Sequence, residues 1–305
     1  MNAEENTCFS SINAIKADFN DIYRAADPRD YFKVLGELDY IIPEIAAPVL
    51  LQVVERLIRS KGRPVTILDV GCSYGNLAAV MRYGLTVGQL RDRYAAAPLQ
   101  ALGSHHLASY DAHYFAGWPR REDMQFIGLD CSAEAIAYAL KVGLIDEGLV
   151  IDLETNALNG RARSVVSNVD LIVSTGAVGY ISEKTFAELL KAFPPGHEPW
   201  IASFVLRMFD YKNIAETIGQ HGLETERLDE VTFVQRRFRD DAELEDTLRL
   251  IQARGIDPAG KETEGVYHAE LFVSRPPVDI GKASLRDIVR PAAVSSRGAV
   301  LGSRN

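Results

Sequence analysis

Cysteine is scarce in this chain and does not pair. Cys8, Cys72 and Cys131 lie far apart and make no CxxC motif, so neither a disulfide framework nor a zinc knuckle is expected, and a reducing compartment fits. Long apolar runs are missing too. None is long enough to span a bilayer, and the amino terminus, MNAEENTCFSS, has neither the basic flank nor the apolar stretch of a secretory signal. Positive charge is in deficit: the net charge of −9 repels a phosphate backbone and makes nucleic acid a poor partner. No internal repeat is visible. These absences lead to the expectation of a cytoplasmic protein with neither a membrane nor a nucleic-acid partner.

What is present is a globular composition, 305 residues with 47% apolar content, enough to bury a substantial core. The first sixty residues read as helical. An amphipathic stretch covers 12–23, and Asp27-Pro28 offers an N-cap carboxylate followed by a ring torsion preset for the first helical position, leading into a helix over 29–38. Pro43 and Pro48 flank a further start, and 49–58 is helical until Lys61-Gly62 ends it. From Val65 the grain changes to short β-branched and apolar runs at 65–70, 126–129, 149–151, 169–174 and 200–206, separated by helical patterns of which 76–81, 133–140 and 183–193 are the clearest. Strands alternating with helices build a mostly parallel, Rossmann-like α/β sheet with helices on both faces. Runs at 231–238 and 267–274, on either side of a helix over 242–253, suggest an antiparallel edge pair. The connection 82–125 is far longer than a crossover requires and must hold extra helical structure, including 86–94 and a His- and Tyr-rich stretch over 99–118. The tail from Pro276 has no clear period.

The strongest local signal is Asp69-Val70-Gly71-Cys72-Ser73-Tyr74-Gly75-Asn76, where a buried strand turns into a helix. Glycines at such a turn let the backbone approach a ligand closely. Asp130 closes the next strand, where a carboxylate can accept hydrogen bonds from both hydroxyls of a ribose. Asp152 follows the third run, and its carboxylate can accept a hydrogen bond from an adenine amino group while Leu153 offers the ring an apolar face. Each acid taken singly also reads as a helix cap or a solvated loop residue; three at successive strand ends are harder to dismiss.

With these residues the chain resembles the class I S-adenosylmethionine-dependent methyltransferases of the small-molecule type. Their first motif is an acid followed by a glycine-rich turn, matched here by Asp69, Gly71 and Gly75, with Ser73 standing where that family usually has glycine. The resemblance extends through Leu129-Asp130-Cys131-Ser132, Asp152-Leu153 and the fourth strand to Ser174. It implies that Asp69 orients the methionine part of the cofactor, Asp130 holds the ribose and Asp152 with Leu153 frames the adenine. The turn residues Gly71, Cys72, Ser73 and Gly75, together with Cys131 and Ser174, lie around it. It further implies a helical cap over 1–60, a catalytic domain over 61–276 with 82–125 inserted, and a tail over 277–305.

Two other classes compete for the same residues. Gly71-Cys72-Ser73-Tyr74-Gly75 also matches the GxSxG elbow of an α/β-hydrolase, which would make Ser73 a nucleophile served by Asp170 or Asp210 and by His221 or His268. Against it, only a helical segment precedes the Val65 strand and no HGG-like oxyanion loop appears upstream. A non-catalytic binding module is the other alternative, and intact acids at all three positions weigh against it. The glycine spacing does not reproduce the GxGxxG of a dehydrogenase.

If the methyl acceptor needs a general base, Tyr180 and His268 are the candidates near the strand ends. Tyr23, Tyr31 and Tyr40 of the cap are candidates for the substrate entrance, where aromatic faces attract cations. Arg207, and Arg236 with Arg237 and Arg239, are candidates for binding a substrate carboxylate or phosphate. Each of these also has a plainer reading as packing or as a charged strand edge. No metal site is expected, since adjacent His105 and His106 point apart on a helix. Cap and insertion together are expected to close over the acceptor; the alternative is that they form a homodimer interface or simply cover the core.

Overall fold

The computed structural model describes residues 20–229 and 231–290. The expected helix over 12–23 therefore lies largely outside the described residues, and only its last turn, α1 (Asn20–Tyr23), is described. In the next helix, α2 (Arg29–Glu37), Pro28 is the N-cap residue. Asp27 still caps it, because its carboxylate accepts from the Arg29 amide at 3.1 Å and from the Arg29 guanidinium at 2.8 Å.

α3 (Ile42–Lys61) runs straight through Pro48 instead of starting there, and Gly62, at φ +67°, closes it. A proline inside a helix costs about 3 kcal/mol. The apolar face of Ile42, Ala46, Val49, Leu50 and Val53, all buried, offsets that cost.

β1 (Val65–Val70) leads through the glycine turn into α4 (Asn76–Tyr83). The insertion then forms α5 (Val87–Ala95), started by a Thr86/Gln89 capping box, a single turn α6 (Ala97–Gln100) and α7 (Ser104–Ala116). The alternating part continues with β2 (Met124–Asp130), α8 (Ala133–Lys141), β3 (Glu147–Val150), α9 (Gly160–Val166), β4 (Leu171–Thr175), α10 (Glu183–Leu190) and β5 (Trp200–Leu206). It ends with α11 (Lys212–Gly219), β6 (Glu224–Arg227), β7 (Phe233–Arg237), α12 (Asp241–Ala253) and β8 (Val266–Arg275). Beyond Pro276 the described tail holds two single turns, Pro277–Ile280 and Leu285–Ile288.

The sheet order is β3-β2-β1-β4-β5-β8-β6, with β7 also paired to β8. β1 to β5 are mutually parallel, and β8 pairs antiparallel with β5, β6 and β7. This is a Rossmann-like, mostly parallel sheet. The expected pair of β7 and β8 forms, but β8 is interior, not an edge: β5 holds one side of it, while β6 and β7 lie end to end along the other. β6 carries too little apolar character, ETER, to be read as a strand in isolation.

Because the order runs outward from β1 to β3 and then restarts at β4 on the other side, right-handed crossovers place the helices of the two halves on opposite faces. The same reversal leaves a crevice outside the carboxyl ends of β1 and β4, the place where open α/β sheets take ligands.

The cap sits over this end of the sheet. The Tyr74 hydroxyl lies 2.8 Å from the carbonyls of both Ile22 and Ala25. At the other side residues 38–41 run along β7, with Ile41 N donating to Gln235 O at 2.9 Å and Arg237 N donating to Leu38 O at 2.8 Å. The insertion supports the cap from behind, with Phe32 and Tyr94 stacked at 4.9 Å and the Arg29 guanidinium donating to the carbonyls of Leu99 and Leu102. Within it, fully buried Asp111 accepts from the Arg93 guanidinium and, at 2.6 Å, from the Tyr138 hydroxyl, which ties α7 to α8. Among the described residues no helix is long and apolar enough to cross a membrane.

Candidate functional site

A cavity of about 860 Å³ opens at the switch point. It is near the upper end of the range for small-molecule sites, roughly 300–1,000 Å³. Its floor is made by the carboxyl ends of β1 to β4 and its roof by the cap. Asp69, Gly71, Cys72 and Ser73 line it from the first turn, Asp130 and Cys131 from the second, and Asp152 and Leu153 from the third.

The turn after β1 is held open by backbone geometry. Gly71 has φ +75°, and a Cβ there would stand 2.7 Å from that of Ala177 in the loop after β4, so only glycine lets the two loops approach. Ser73 has φ +50°, a left-handed conformation that non-glycine residues rarely take. Its amide donates to Asp130 Oδ2 at 2.9 Å, while the Ser132 amide donates to Asp130 Oδ1 at 2.9 Å. Asp130 is thereby fixed as a fork, with a lone pair on each oxygen still directed outward.

Asp69 is 2% exposed, and burial together with the nearby Asp130 charge pushes its pKa up to about 7. Asp69 Oδ1 and Ser73 Oγ are buried and have no hydrogen-bond partner among the described residues, and the same holds for Ser174 Oγ and Gln235 Oε1 close by. Buried polar atoms left unpaired are costly. Of these residues Asp69 and Ser73 line the cavity, where a polar ligand would relieve them. Asp152, by contrast, is exposed at the rim, where its carboxylate accepts from the Glu154 amide at 2.9 Å and the Thr155 hydroxyl at 2.8 Å.

The roof carries Tyr23, Tyr31 and Tyr40, with Tyr31 meeting Tyr23 edge-on at 5.8 Å and Tyr40 at 6.2 Å. Burial raises the pKa of all three, so they stand as neutral phenols. Tyr180, half exposed, lines the cavity from the loop after β4.

Several residues singled out from sequence lie elsewhere. Gly75 caps α4 and lets it pack against Ala139 and Leu144; Ser174 is buried within β4 without reaching the cavity wall. Arg207 is spent on buried Glu262 at 2.5 Å, and Arg236 on buried Glu243 through two hydrogen bonds of 2.9 and 2.7 Å. Neither lines the cavity; buried guanidinium groups need such partners. His268 is also outside the lining: its Nδ1 is 2.9 Å from the Thr232 hydroxyl, and burial with the Arg207 charge lowers its pKa to about 4. The insertion, expected to close over the acceptor, contributes no lining residue.

The hydrolase reading loses its partners. Asp170 sits at the amino end of β4, bound to Lys61 and Arg63, whereas Ser73 follows the carboxyl end of neighbouring β1. Among the described residues no histidine lines the cavity. Nor do they hold a grouping fit for a metal ion.

Residues missed from sequence include Asn76, Thr175, Glu154 and Arg24, all in the cavity wall, whereas Arg239, singled out beside Arg236 and Arg237, does line it. Glu154 had a readable signal, since it follows Asp152-Leu153. It accepts from the Ser182 amide at 2.8 Å and the Ser182 and Thr185 hydroxyls at 2.6 Å, joining the β3 loop to the start of α10.

No protein family's sequence profile matches the chain, and no curated protein matches it in sequence. Solved structures similar to it include a 1,6-didemethyltoxoflavin-N1-methyltransferase from Burkholderia thailandensis with bound 1,6-didemethyltoxoflavin and S-adenosylhomocysteine (13% identity, TM-score 0.40, 90% of this chain and 92% of that one). Another is a magnesium protoporphyrin IX methyltransferase from Synechocystis with bound S-adenosylmethionine (12% identity, TM-score 0.36, 76% and 80%). A third is the [4+2]-cyclase SpnF (11% identity, TM-score 0.32, 74% and 80%).

Proposed function

We propose that the protein binds S-adenosylmethionine at the carboxyl ends of β1 to β3 and catalyses methyl transfer to a small-molecule acceptor held beneath the cap. The observation that carries this reading is the convergence of Asp69, Asp130 and Asp152 from three adjacent strand ends on one cavity, with the Asp69 carboxylate buried and one of its oxygens unpaired.

The residues fit the cofactor. Asp130, already oriented by two backbone amides, offers one acceptor site on each oxygen to a pair of ribose hydroxyls. Asp69 is placed to receive a cationic amino group, which would hold it ionised. Leu153 and Ile151 give an apolar surface for a flat base, and Asp152 an acceptor at its edge. When bound, S-adenosylmethionine supplies an electrophilic methyl group on a sulfonium.

The protein's own task is alignment and exclusion of water. Gly71, at φ +75°, lets the loops after β1 and β4 close in, and Gly176, at φ +90°, lets Gln235 and Tyr40 approach the second of them. The neutral tyrosines of the cap shield the site, and Tyr180 is the side chain proposed to meet the acceptor.

Calorimetric titration with S-adenosylmethionine and S-adenosylhomocysteine tests this, followed by transfer of labelled methyl groups to a panel of small molecules. One-to-one binding is expected. A folded protein that binds neither would overturn the reading.

A further inference from the structure

The cavity is divided by charge. Its four carboxylates, Asp69, Asp130, Asp152 and Glu154, all come from the ends of β1 to β3. Its two guanidinium groups come from elsewhere: Arg24 from the cap just after α1, and Arg239 from the loop between β7 and α12. No lysine or histidine joins them in the wall.

Both arginines are exposed, and most of their donors are uncommitted. Arg239 bonds Asp240 through Nε at 2.7 Å, and among the described residues its terminal nitrogens make no hydrogen bond. The Arg24 guanidinium makes none and has no ion-pair partner among them. Arg207 and Arg236, by contrast, are buried on carboxylates. The same wall carries Tyr23, Tyr31, Tyr40 and Tyr180, whose rings offer flat apolar faces and edges.

We propose that the acceptor is a flat aromatic molecule bearing a carboxylate or phosphate, its ring taken among these tyrosines and its anionic group by Arg24 and Arg239. This rests on the strand-end acids being taken up by the cofactor. With the cofactor at that end, the remaining charged side chains of the described wall are the two guanidinium groups, which favour an anion beside them over an ammonium. The phenols add no negative charge, since burial keeps Tyr23, Tyr31 and Tyr40 protonated. Guanidinium groups with uncommitted donors suit a planar or tetrahedral oxyanion.

The test uses the full chain with and without saturating S-adenosylhomocysteine, titrated by calorimetry and ligand-observed NMR with 4-hydroxybenzoate, phenyl phosphate, tyramine and cyclohexanecarboxylate. The expected result is binding of 4-hydroxybenzoate or phenyl phosphate at least about tenfold tighter than tyramine or cyclohexanecarboxylate, and a loss of about tenfold or more in the Arg24→Gln/Arg239→Gln variant. Tyr23→Leu should weaken the aromatic anion about fivefold while leaving cyclohexanecarboxylate unchanged. Preference for tyramine, indifference to the arginine changes, or failure of every probe to bind would each overturn the proposal. Failure of S-adenosylhomocysteine to bind, with arginine-dependent binding of the aromatic anion intact, would instead remove the cofactor reading and leave the anion site standing.

Discussion

The two walls of the cavity are built by different physics. The sheet wall consists of acids at strand ends, and it is strained: Ser73 is left-handed, Asp69 is buried with an unpaired oxygen, and its pKa stands near 7. The cap wall consists of neutral tyrosines in edge-to-face contact and of exposed Arg24, joined by Arg239 from the loop between β7 and α12, with no comparable strain among its cavity-lining residues. One wall stores unfavourable energy that a ligand can release; the other is a packed surface with charge at its mouth. Buried, unsatisfied groups preorganise a site for one ligand, whereas a cap of rings can be resurfaced without disturbing the sheet. Under the proposed function, the contrast assigns cofactor recognition to the sheet and acceptor choice to the cap.

The hardest test of that division is Asp130→Ala. It removes the acceptor of two backbone amides as well as the proposed ribose contacts, and at about 1.5–3 kcal/mol per charge-assisted hydrogen bond the loss of cofactor affinity should exceed about a hundredfold. Calorimetry on a variant with native circular dichroism checks it, and unchanged affinity would move cofactor recognition away from β2.

Next comes Asp69, through pH. Its folded pKa is raised, so without cofactor its contribution to stability is full in acid and is lost as pH climbs through about 7. Asp69→Asn should therefore stabilise the cofactor-free protein by roughly 2–4 kcal/mol at about pH 8, with little effect near pH 4. Thermal unfolding at the two pH values measures this. Cofactor affinity should behave oppositely: a cationic amino group requires the ionised carboxylate, so wild-type affinity should fall up to about tenfold per pH unit below 7, with a proton released on binding. In Asp69→Asn that pH dependence should vanish and affinity at neutral pH should drop about tenfold. A flat wild-type profile would mean that Asp69 does not face the ligand.

The same two walls explain what could be read in the sequence. β1 and β5 are legible to the residue, Val65–Val70 and Trp200–Leu206, because strands buried on both faces are continuous apolar runs. Asp69, Asp130 and Asp152 were legible because each lies at or next to the carboxyl end of a short apolar run. The cap wall depends on contacts between distant residues: Tyr40 reaches the Thr175 carbonyl 135 positions away, and Arg237 the Glu37 carbonyl across 200. Nothing in the run Arg236-Arg237-Phe238-Arg239 tells which arginine is buried on Glu243, which clasps Asp39 and which faces the cavity. The insertion misled for a related reason. Its histidines and tyrosines suggested a lining, but Tyr94 and Asp111 are consumed in a buried network with Tyr138, and His113 bonds the Ser109 carbonyl within its own helix.

Tyr74 joins the walls and gives a smaller, sharper test. It belongs to the glycine turn, yet its hydroxyl holds the cap carbonyls of Ile22 and Ala25, beside Tyr23 and Arg24. Tyr74→Phe keeps the buried ring and removes the tether, at a net cost of about 1 kcal/mol. The expected outcome is a rise of about three- to tenfold in acceptor KM with cofactor affinity within about twofold of wild type. Equal losses in both would show that the walls are not separable.

The smallest effect is expected at Ser73, and its direction discriminates between chemistries. In the left-handed region a side chain costs about 1–2 kcal/mol, which glycine avoids, while glycine gives back roughly 0.5–1 kcal/mol through the greater freedom of its unfolded chain. Ser73→Gly should therefore be neutral to stabilising by up to about 1 kcal/mol, and it also removes a buried hydroxyl that has no partner. The amide that donates to Asp130 is retained, so cofactor affinity and methyl transfer should stay within about twofold of wild type. A serine nucleophile would give the reverse: loss of activity in the glycine variant, and labelling of the wild-type residue by a fluorophosphonate. Either result would transfer the turn from a cofactor cradle to a catalytic elbow. Unfolding midpoints and labelled-methyl transfer, measured on the same two proteins, decide between them.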